Sequence, residues 1–511
     1  MKRKIMLISL LVFISLALFA TGRNQSGTQS TGSLPFVEFD WYTRANPQPD
    51  QAMVFEAANR YIQEKINARI NFVTMSPAEW PERMPVMINS GAVNGVSYFV
   101  AEVNYIASAS RGAFLPLDDL LDRYGAATKA LFKNDVWDGM KVNGRIYGVP
   151  TLKDNSYIIG AYYNATMAEQ LGITVPSTLR YRNLMDLEPL LMEVIQKRKQ
   201  LMPQFGNHPV LVINLDTFPA NFALELVSPF PYCYAVMNMP GIMEVAGYDT
   251  ETVFNLYETP EFLRYAQTMA RYAANDIINT SSGTDWNNAD GGFFLWPSWG
   301  EVVIPEHYIS TNFVTKAIPP ARTWTSTEMY HAGQAIAART RDPDRAMKAI
   351  NLMNTDPTLR TMMSFGIEGQ HYIRDSQGRM VLEGSPRNSD PANRGYLIWY
   401  GSVIGNVTII NTPESYGGPN NAFAQELINA NNNAALGHMG FVFDPTPVEQ
   451  YIAACNAVTA GYIQSFMYGL LPESQIVPTV AEFTQSLRAA GVQNVINEAQ
   501  RQLNAWKATR R

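Results

Sequence analysis

The sequence predicts an α/β protein with two lobes. Predicted strands and helices alternate along the chain, which favours mostly parallel sheets covered by helices on both faces. Charged residues make up only 16% of the chain and apolar residues 46%, a composition that permits large apolar cores. The part of the chain that follows Gly22 is longer than the about 250 to 300 residues that a single core supports. We therefore expect two cores.

The first twenty residues have the layout of a secretory signal. Basic residues at positions 2–4 precede an uncharged apolar run over Ile5–Ala20, which is short for a membrane-spanning helix of about 20 residues. Residues 1–22 are predicted to be a signal peptide, with an uncleaved anchor as the alternative, and residues 23–33 a flexible polar tether. We expect an exported protein, periplasmic or associated with the cell surface, and peripheral to the membrane.

The charge balance and the cysteines limit the partners and the chemistry. Loss of the signal removes three of the 39 basic residues and leaves 36 against 45 acidic residues, so nucleic acid is not expected as a partner. The two cysteines, Cys233 and Cys455, either form a bridge in an oxidising compartment or remain two buried free thiols. The sequence leaves both possibilities open.

The first predicted elements form a strand–helix–strand unit. Apolar patterns predict a strand over Leu34–Trp41, a helix from about Gln51 and a second strand over Ile70–Met75. Ligands of parallel sheets collect beyond the carboxyl ends of the strands, where Trp41 and Arg44 are expected. The planar guanidinium of Arg44 is suited to a ligand carboxylate, and an exposed surface position is its alternative.

Two turn and helix signals lie further along the chain. Asn143-Gly144 is the residue pair that a tight hairpin turn with positive φ angles requires. Asp342-Pro343 and Asp356-Pro357 each mark the start of a helix, because the aspartate accepts hydrogen bonds from free amides and proline fits the first helical position. The predicted buried residues of these two helices are Ala346, Met347, Ile350, Met353, Leu359, Met362 and Met363.

The order of a strand, two Asp-Pro helices and the Gly-Ile-Glu-Gly-Gln-His-Tyr sequence at 366–372 resembles the extracellular solute-binding proteins of ABC importers. Within that family, it is similar to the branch that binds uronide and alginate oligosaccharides. Residues 55–75, the KVNGRIYGVP segment at 141–150 and a predicted helix over Val492–Trp506 also resemble segments of these proteins. The resemblance implies an α/β, two-lobe periplasmic-binding-protein fold with a hinge and a ligand cleft between the lobes.

The resemblance also implies the domain boundaries. The first lobe would consist of residues 34–150 and 331–395, and the second of residues 151–330 and 396–511. The chain crossings between them form the hinge, which allows the lobes to close around a solute. Many relatives are lipoproteins attached through a cysteine after the signal, but no cysteine lies near residue 22 here, so lipid attachment is not expected.

Aromatic side chains are the main candidates for a ligand site, because sugar rings present apolar C–H faces. The chain has nine Trp, 25 Tyr and 24 Phe. By resemblance, Trp399 matches a stacking tryptophan of alginate-oligosaccharide binders, and Trp296 or Trp299 lies near their other one. For each ring the alternative is a place in a core. The full set of predicted ligand-binding residues is Trp41, Arg44, Tyr157, Tyr162, Trp286, Trp296, Trp299 and Trp399.

Three further residues carry expectations of their own. Tyr162 and Tyr163 should point to opposite faces of a strand, so at least one belongs to a core. His371 is interpreted as a hydrogen-bonded structural residue rather than a base, and Glu368 as a local anchor. No metal is predicted, because the histidines lack metal-ligand spacing and the segment at 196–212 lacks the Asp/Asn-rich calcium loop that some relatives carry.

Together these observations predict a monomeric receptor that captures a carbohydrate and delivers it to the permease subunits of an ABC importer. Oligosaccharides that contain uronic acid or rhamnose are favoured on resemblance alone. Neither catalysis nor a cofactor is expected, since the common hydrolase, NTPase and dinucleotide motifs are missing. The alternatives are a receptor for a peptide or another small polar solute, a secreted glycoside hydrolase with two carboxyl groups about 5 to 10 Å apart, and a structural surface protein.

Overall fold

The protein is described from a computed structural model. The described residues are 35–99, 103, 105–153, 157–158, 161–176, 184–206, 208–213, 224–228, 232–238, 245–279, 292–296, 315–318, 322–324, 332–398, 404–413, 428–429, 431, 435–436, 438 and 440–508. The predicted signal peptide lies outside these residues, and so does the tether. Within the described part of the chain, no helix is long and apolar enough to cross a membrane.

Among the described elements, strands and helices alternate over residues 37–99, four short helices and five short strands follow, and helices dominate the end of the chain. In chain order the described strands are β1 (Val37–Arg44), β2 (Ala68–Met75), β3 (Gly95–Phe99), β4 (Lys141–Val142), β5 (Arg145–Ile146), β6 (Gly148–Pro150), β7 (Tyr157–Ile158), β8 (Ala161–Asn164), β9 (Leu211–Ile213), β10 (Glu225–Leu226), β11 (Val236–Met237), β12 (Phe294–Trp296), β13 (Thr315–Ile318), β14 (Arg322–Trp324), β15 (Gly333–Ile336), β16 (Ile373–Arg374), β17 (Met380–Val381) and β18 (Ala435–Leu436). The α-helices are α1 (Gln51–Ile66), α2 (Trp80–Ser90), α3 (Tyr105–Ser110), α4 (Asp118–Tyr124), α5 (Ala126–Lys129), α6 (Asn134–Gly139), α7 (Ala165–Gln170), α8 (Glu188–Leu201), α9 (Pro260–Ala274), α10 (Pro343–Thr355), α11 (Pro357–Phe365), α12 (Glu449–Met467), α13 (Glu473–Ala489) and α14 (Val492–Ala508).

The first sheet has five strands in the order β2-β1-β3-β15-β6. Strands β1, β2 and β3 are parallel, with Trp41 opposite Phe72 and Asp40 opposite Gly95. Strand β15 returns much later in the chain and pairs antiparallel with β3 and β6. The sheet is therefore completed by a distant part of the sequence.

Smaller sheets occupy the middle of the chain. One has four strands in the order β13-β8-β12-β9, and another has three in the order β18-β14-β7. In the first of these, β12 lies between β8, to which it is antiparallel, and β9, to which it is parallel.

Two large apolar cores confirm the expectation of two lobes. The first core joins the five-stranded sheet to α1, α2 and α10 and includes Phe39, Ile62 and Met353. The second contains residues of α8, α9 and the three carboxyl-terminal helices, such as Phe262 and Phe483. A small third cluster contains residues from Phe365 to Ile410. The individual lobe boundaries stay a prediction.

The first strand begins and ends later than predicted. The sequence indicates Leu34–Trp41, whereas β1 runs from Val37 to Arg44. Its carboxyl end is longer because parallel pairing with β2 continues to Arg44, which lies opposite Met75. The hairpin prediction is confirmed, since Asn143 has φ 50° and Gly144 has φ 79° between β4 and β5.

Both Asp-Pro helices form where the sequence predicts them, but only one aspartate caps its helix. The amide of Leu359 donates to Asp356 Oδ1 at 3.0 Å. The predicted cap at Asp342 is wrong, because this residue has φ −122° and ψ 68° and its carboxylate makes no capping hydrogen bond. Of the predicted buried residues, six have no more than 1% exposed surface and Met362 is partly buried.

The two cysteines are free and buried. Burial raises the pKa of the Cys455 thiol to about 11 and that of the Cys233 thiol still higher. Neither thiol is therefore ionised at neutral pH. Of the two possibilities that the sequence leaves open, the structure shows free thiols.

Candidate functional site

The loop between β1 and α1 lies at the carboxyl end of the parallel strands, where ligands of such sheets collect. It is held against a later segment of the chain. The amide of Asp50 donates to Gly395 O at 2.9 Å, and the amide of Leu397 donates to Gln48 Oε1 at 3.4 Å. The first-strand loop is thus fixed to the segment that leads directly to Trp399.

A charged cluster is centred on Asp50. Arg387 Nη1 donates to both carboxylate oxygens of Asp50, at 2.7 and 2.9 Å. On the other side, His371 Nε2 lies 3.4 Å from Asp50 Oδ2. The main chain supports the same arrangement, because the amide of Gly395 donates to Arg387 O at 2.8 Å. Side chains and backbone together hold the loop in one position.

His371 has a structural role, as the sequence predicts. Its side chain has no exposed surface, and its Nδ1 accepts the amide of Ile367 at 3.0 Å. In the neutral ring the proton is then on Nε2, which faces Asp50. Burial lowers the pKa of His371 although Asp50 opposes that shift. Glu368 is also a local anchor, since it accepts from Arg374 Nε at 3.3 Å.

A polar cavity of about 680 Å³ lies beside this cluster. Asp50, Gln370, Arg387 and Asn393 are among its lining residues. Their carboxylate, amide and guanidinium groups include both hydrogen-bond acceptors and donors. Such a lining is chemically suited to a ligand with many hydroxyl groups.

The segments that cross between the two cores lie side by side. The amide of Thr151 donates to Ala332 O at 2.9 Å, and the amide of Val407 donates to Leu152 O at 3.0 Å. The third segment is fixed to α10, because the amide of Asn406 donates to Asn354 Oδ1 at 3.1 Å. These contacts connect the crossings to the first core.

The structure places Trp41 inside the first core rather than on a surface. Its side chain has 0% exposure, and its ring centroid lies 6.4 Å from that of Phe72. Among the described residues, none accepts a hydrogen bond from its indole Nε1. Arg44 is the last residue of β1 and is partly exposed, a position open to the carboxyl end of the sheet.

The other predicted site residues lie in the middle of the chain. Tyr157 is on β7, Tyr162 on β8 and Trp296 on β12. Strands β8 and β12 are neighbours, with Tyr162 opposite Leu295, so the backbones of Tyr162 and Trp296 are close. The remaining predicted residues, Trp286, Trp299 and Trp399, are outside the described residues.

Tyr163 confirms that one of the two adjacent tyrosines belongs to a core. It packs against the second core, and its ring centroid lies 6.2 Å from that of Phe293. Sequence reasoning did not find Asp50, Gln370 or Arg387 as candidate ligand residues. No local pattern distinguishes them, because the cluster forms only when α1 meets a segment more than 300 positions later.

The segment at 196–212, where some relatives are expected to carry a calcium loop, is organised by a buried arginine. Arg198 has no exposed surface. Its Nη1 donates to Pro209 O at 3.2 Å and its Nη2 donates to His208 O. Burial lowers the pKa of Arg198 to about 10, so the side chain is still a cation at neutral pH. Within the described residues, no group of three His, Cys, Asp or Glu side chains could hold a metal ion.

The fold described above and the family match that follows define a solute-binding protein. The chain belongs to the bacterial extracellular solute-binding protein family, whose model matches residues 56–369. A second model, for a domain of unknown function, matches residues 437–508, which contain α12 to α14. The protein is therefore extracellular, in agreement with the export predicted from its amino terminus.

Individual relatives match over nearly the whole chain. The carbohydrate ABC transporter substrate-binding protein of Streptococcus pneumoniae serotype 4 is 24% identical over 95% of this chain and 94% of its own length. The N-glycan transport solute binding protein NgtS of Streptococcus pneumoniae superimposes with a TM-score of 0.74 at 20% identity, covering 93% of this chain and all of its own. Alginate-binding protein AlgQ2 gives a TM-score of 0.58 at 17% identity, with 93% and 100% covered. These similarities establish the two-lobe fold.

Proposed function

We propose that this protein is the substrate-binding receptor of an ABC importer and that it captures an oligosaccharide between its lobes. The observation that carries the proposal is the similarity to a carbohydrate receptor along 95% of the chain. The two-core architecture and the parallel strands β1 to β3, with a loop and a polar cavity at their carboxyl ends, are what such a receptor requires. After capture, the closed receptor would deliver the sugar to the permease subunits. No chemical step is part of this function.

Neutral oligosaccharides are the proposed ligand class, ahead of the uronic-acid-containing sugars that resemblance alone favours. NgtS has been crystallised with Man1GlcNAc and with Man5GlcNAc, and these complexes match this chain with TM-scores of 0.67 and 0.66. The corresponding value for alginate-binding AlgQ2 is 0.58. The charges support the same choice, because Asp50 already balances Arg387 and the pair does not need a ligand carboxylate.

The proposed contacts combine rings with hydrogen-bonding groups. Trp399, Trp296 and Trp299 would stack on sugar rings, with Trp286, Tyr157, Tyr162 and Arg44 as further contacts. Trp41, which has no exposed surface, would support the ligand site from within the core instead of touching the sugar. The polar cavity beside Asp50 would receive hydroxyl groups of one end of the ligand.

Calorimetric titration of the purified mature chain tests the proposal. The ligands are mannose- and N-acetylglucosamine-containing oligosaccharides, alginate oligosaccharides and short peptides. We expect saturable binding of the neutral oligosaccharides near micromolar Kd, about −8 kcal/mol. Binding of peptides alone would contradict the carbohydrate proposal. Release of shorter sugars over long incubation would instead show a glycoside hydrolase, and the absence of any saturable ligand would favour a structural protein.

Replacement of Trp399 by alanine tests the proposed stacking contact. Loss of a central aromatic contact should weaken oligosaccharide binding by about 1 to 3 kcal/mol and leave the thermal midpoint nearly unchanged. The control is Trp506→Ala. Trp506 packs against Phe441 with ring centroids 5.8 Å apart, so its loss should lower the thermal midpoint and leave the affinity unchanged. The opposite pattern would assign Trp399 to a core.

A further inference from the structure

A second cavity lies at the opposite end of the first sheet, away from the carboxyl ends of the parallel strands. Its volume is about 350 Å³. It is bordered by the end of α2, the residues just before β3, the end of α3 and the residues just after β15. These four meet because β15 is antiparallel to β3, which places Ile336 opposite Val96. The cavity is therefore separate from the candidate sugar site.

Two arginines line this cavity, and none of its described lining residues is acidic. The lining includes Arg111, Arg339 and Asn89, and its apolar surface comes from residues such as Val93 and Ala113. The cavity thus combines two positive charges with an apolar floor.

Neither arginine is neutralised within the described residues. Other described arginines have a carboxylate partner, as Arg69 has in Glu56 at 2.8 Å and Arg145 in Asp118 at 2.7 Å. Within the described residues, the Arg111 side chain makes one hydrogen bond, from its Nε to Ala107 O at 3.1 Å. Arg339 forms neither a hydrogen bond nor an ion pair with any described residue. The terminal nitrogens of both guanidinium groups are open to a ligand.

The backbone leaves room for Arg339 to reach the cavity. Gly91, at the end of α2, has φ +70°, and a Cβ at this position would lie 2.6 Å from Arg339 Nε. Glycine therefore satisfies two requirements at once, a left-handed conformation and close approach of the guanidinium. Arg339 is exposed, and its guanidinium lies beside Gly91 at the end of the helix.

We propose that this cavity is a binding site for a phosphate group. Two guanidinium groups offer two positive charges and several N–H donors, which match the charge and the oxygens of a phosphate better than those of a single carboxylate. The volume is at the lower end of the range for small-ligand pockets, about 300 to 1,000 Å³. It accommodates free phosphate or the phosphate of an anionic lipid headgroup. Both sources present the same chemistry to the arginines.

Titration of the full mature chain with inorganic phosphate, at constant ionic strength, tests this site. We expect saturable binding by calorimetry and a rise in the thermal midpoint. Each of Arg111→Gln and Arg339→Gln should weaken binding about tenfold, because one charge-assisted contact is lost, and the double variant should abolish it. The matched control is Arg60→Gln. Arg60 is an exposed arginine of α1 that does not line the cavity, and its loss should leave phosphate binding intact.

Three results would overturn the proposal. One is the absence of phosphate binding at millimolar concentration. Another is equal weakening by all three single substitutions, which would show that only the general surface charge matters. The third is a lower thermal midpoint in the cavity variants without any change in phosphate affinity. That result would mean that the two arginines only stabilise the ends of α2 and α3 through the helix dipole.

A vesicle experiment distinguishes the two sources of the phosphate group. Phosphatidylglycerol vesicles are compared with phosphatidylcholine vesicles in co-sedimentation assays. If binding to the anionic vesicles is lost in the double variant and kept in Arg60→Gln, the headgroup is the ligand. If inorganic phosphate binds through the arginines and the vesicles do not, the ligand is the free phosphate anion. Either result supports the phosphate site. If neither form of phosphate binds, the phosphate proposal fails, and the proposed oligosaccharide binding is not affected.

Discussion

The two ends of the first sheet use arginine in different ways. At the carboxyl end, Arg387 is paired with Asp50 at 2.7 Å, and the pair fixes a loop beside the candidate sugar site. At the amino end, Arg111 and Arg339 line a cavity without an acidic residue. A charge that is balanced inside the chain positions the backbone. A charge that is left unbalanced is available to an external anion.

Hydrogen bonds hold the main chain at both ends, but the arginine side chains contribute differently. Around Asp50, backbone hydrogen bonds connect Asp50 to Gly395, Gly395 to Arg387 and Arg387 to Gln370. Around the amino-end cavity, the amide of Ala338 donates to Ala113 O at 2.9 Å, but the Arg339 side chain makes no hydrogen bond among the described residues. Substitutions at the carboxyl end should therefore change stability, and substitutions at the amino end should change anion binding.

The largest loss of folding stability is expected from a substitution at Gly366, next to His371. Gly366 has φ +79°, and a Cβ would lie 2.6 Å from the His371 ring. Gly366→Ala should destabilise the protein by at least about 3 kcal/mol, since backbone strain and a clash add. The matched control is Gly369→Ala, where φ is +80° but nothing lies within 4 Å. That change should cost only about 1 to 2 kcal/mol. Denaturant unfolding measures the free energy of unfolding of both variants. Equal losses in Gly366→Ala and Gly369→Ala would contradict a tightly packed cluster around His371.

The next effect is a pH dependence that originates in His371. Burial lowers the pKa of this side chain, so the unfolded chain binds a proton at a higher pH than the folded chain does. Stability should then fall as the pH drops below about 6.5, the ordinary histidine pKa. Thermal midpoints between pH 7.5 and 5 should show this loss in the wild type and a flatter profile in His371→Gln.

Asp50 provides the internal check on that pH dependence. Its charge raises the pKa of His371 against the effect of burial. Asp50→Asn should therefore lower that pKa further and make the loss of stability at low pH steeper. A flatter profile in Asp50→Asn would mean that His371 is not the titrating group.

The smallest changes in stability are expected from substitutions of Arg387, which is paired with Asp50, and of Arg339, which lines the amino-end cavity. Arg387→Gln removes a half-exposed partner of Asp50 and should cost roughly 0.5 to 1 kcal/mol of stability. Arg339→Gln removes no ion pair with any described residue and should change stability by less than about 0.5 kcal/mol. Urea unfolding of the two variants at low salt measures the difference. A larger loss in Arg339→Gln would remove the distinction between the two ends.

Local features of the fold were predictable from the sequence. The Asn143-Gly144 turn and the starts of α10 and α11 depend on residues a few positions apart, and all three form as predicted. The order of such signals was also enough to indicate the family. Asp342 shows the limit, because the residue type permits a cap but the backbone angles at that position direct the carboxylate elsewhere.

Little of the candidate site was predictable. Trp41 was expected near the carboxyl end of β1, where the structure places it, but its ring is turned into the core. A single sequence does not show which face of a strand will be covered by a helix. The cavity residues Asp50 and Arg387 were not found, since their separation of 337 positions leaves no local pattern.

The sequence by itself determined the alternation of strands and helices, the expectation of two cores and the membership of a binding-protein family. These follow from the spacing of apolar residues and from turn chemistry, which act over short stretches of chain. Only the tertiary structure decided which charges meet. The pairing of Asp50 with Arg387, and the absence of such a partner for Arg339 in the described part of the chain, depend on how distant segments come together when apolar surfaces are buried.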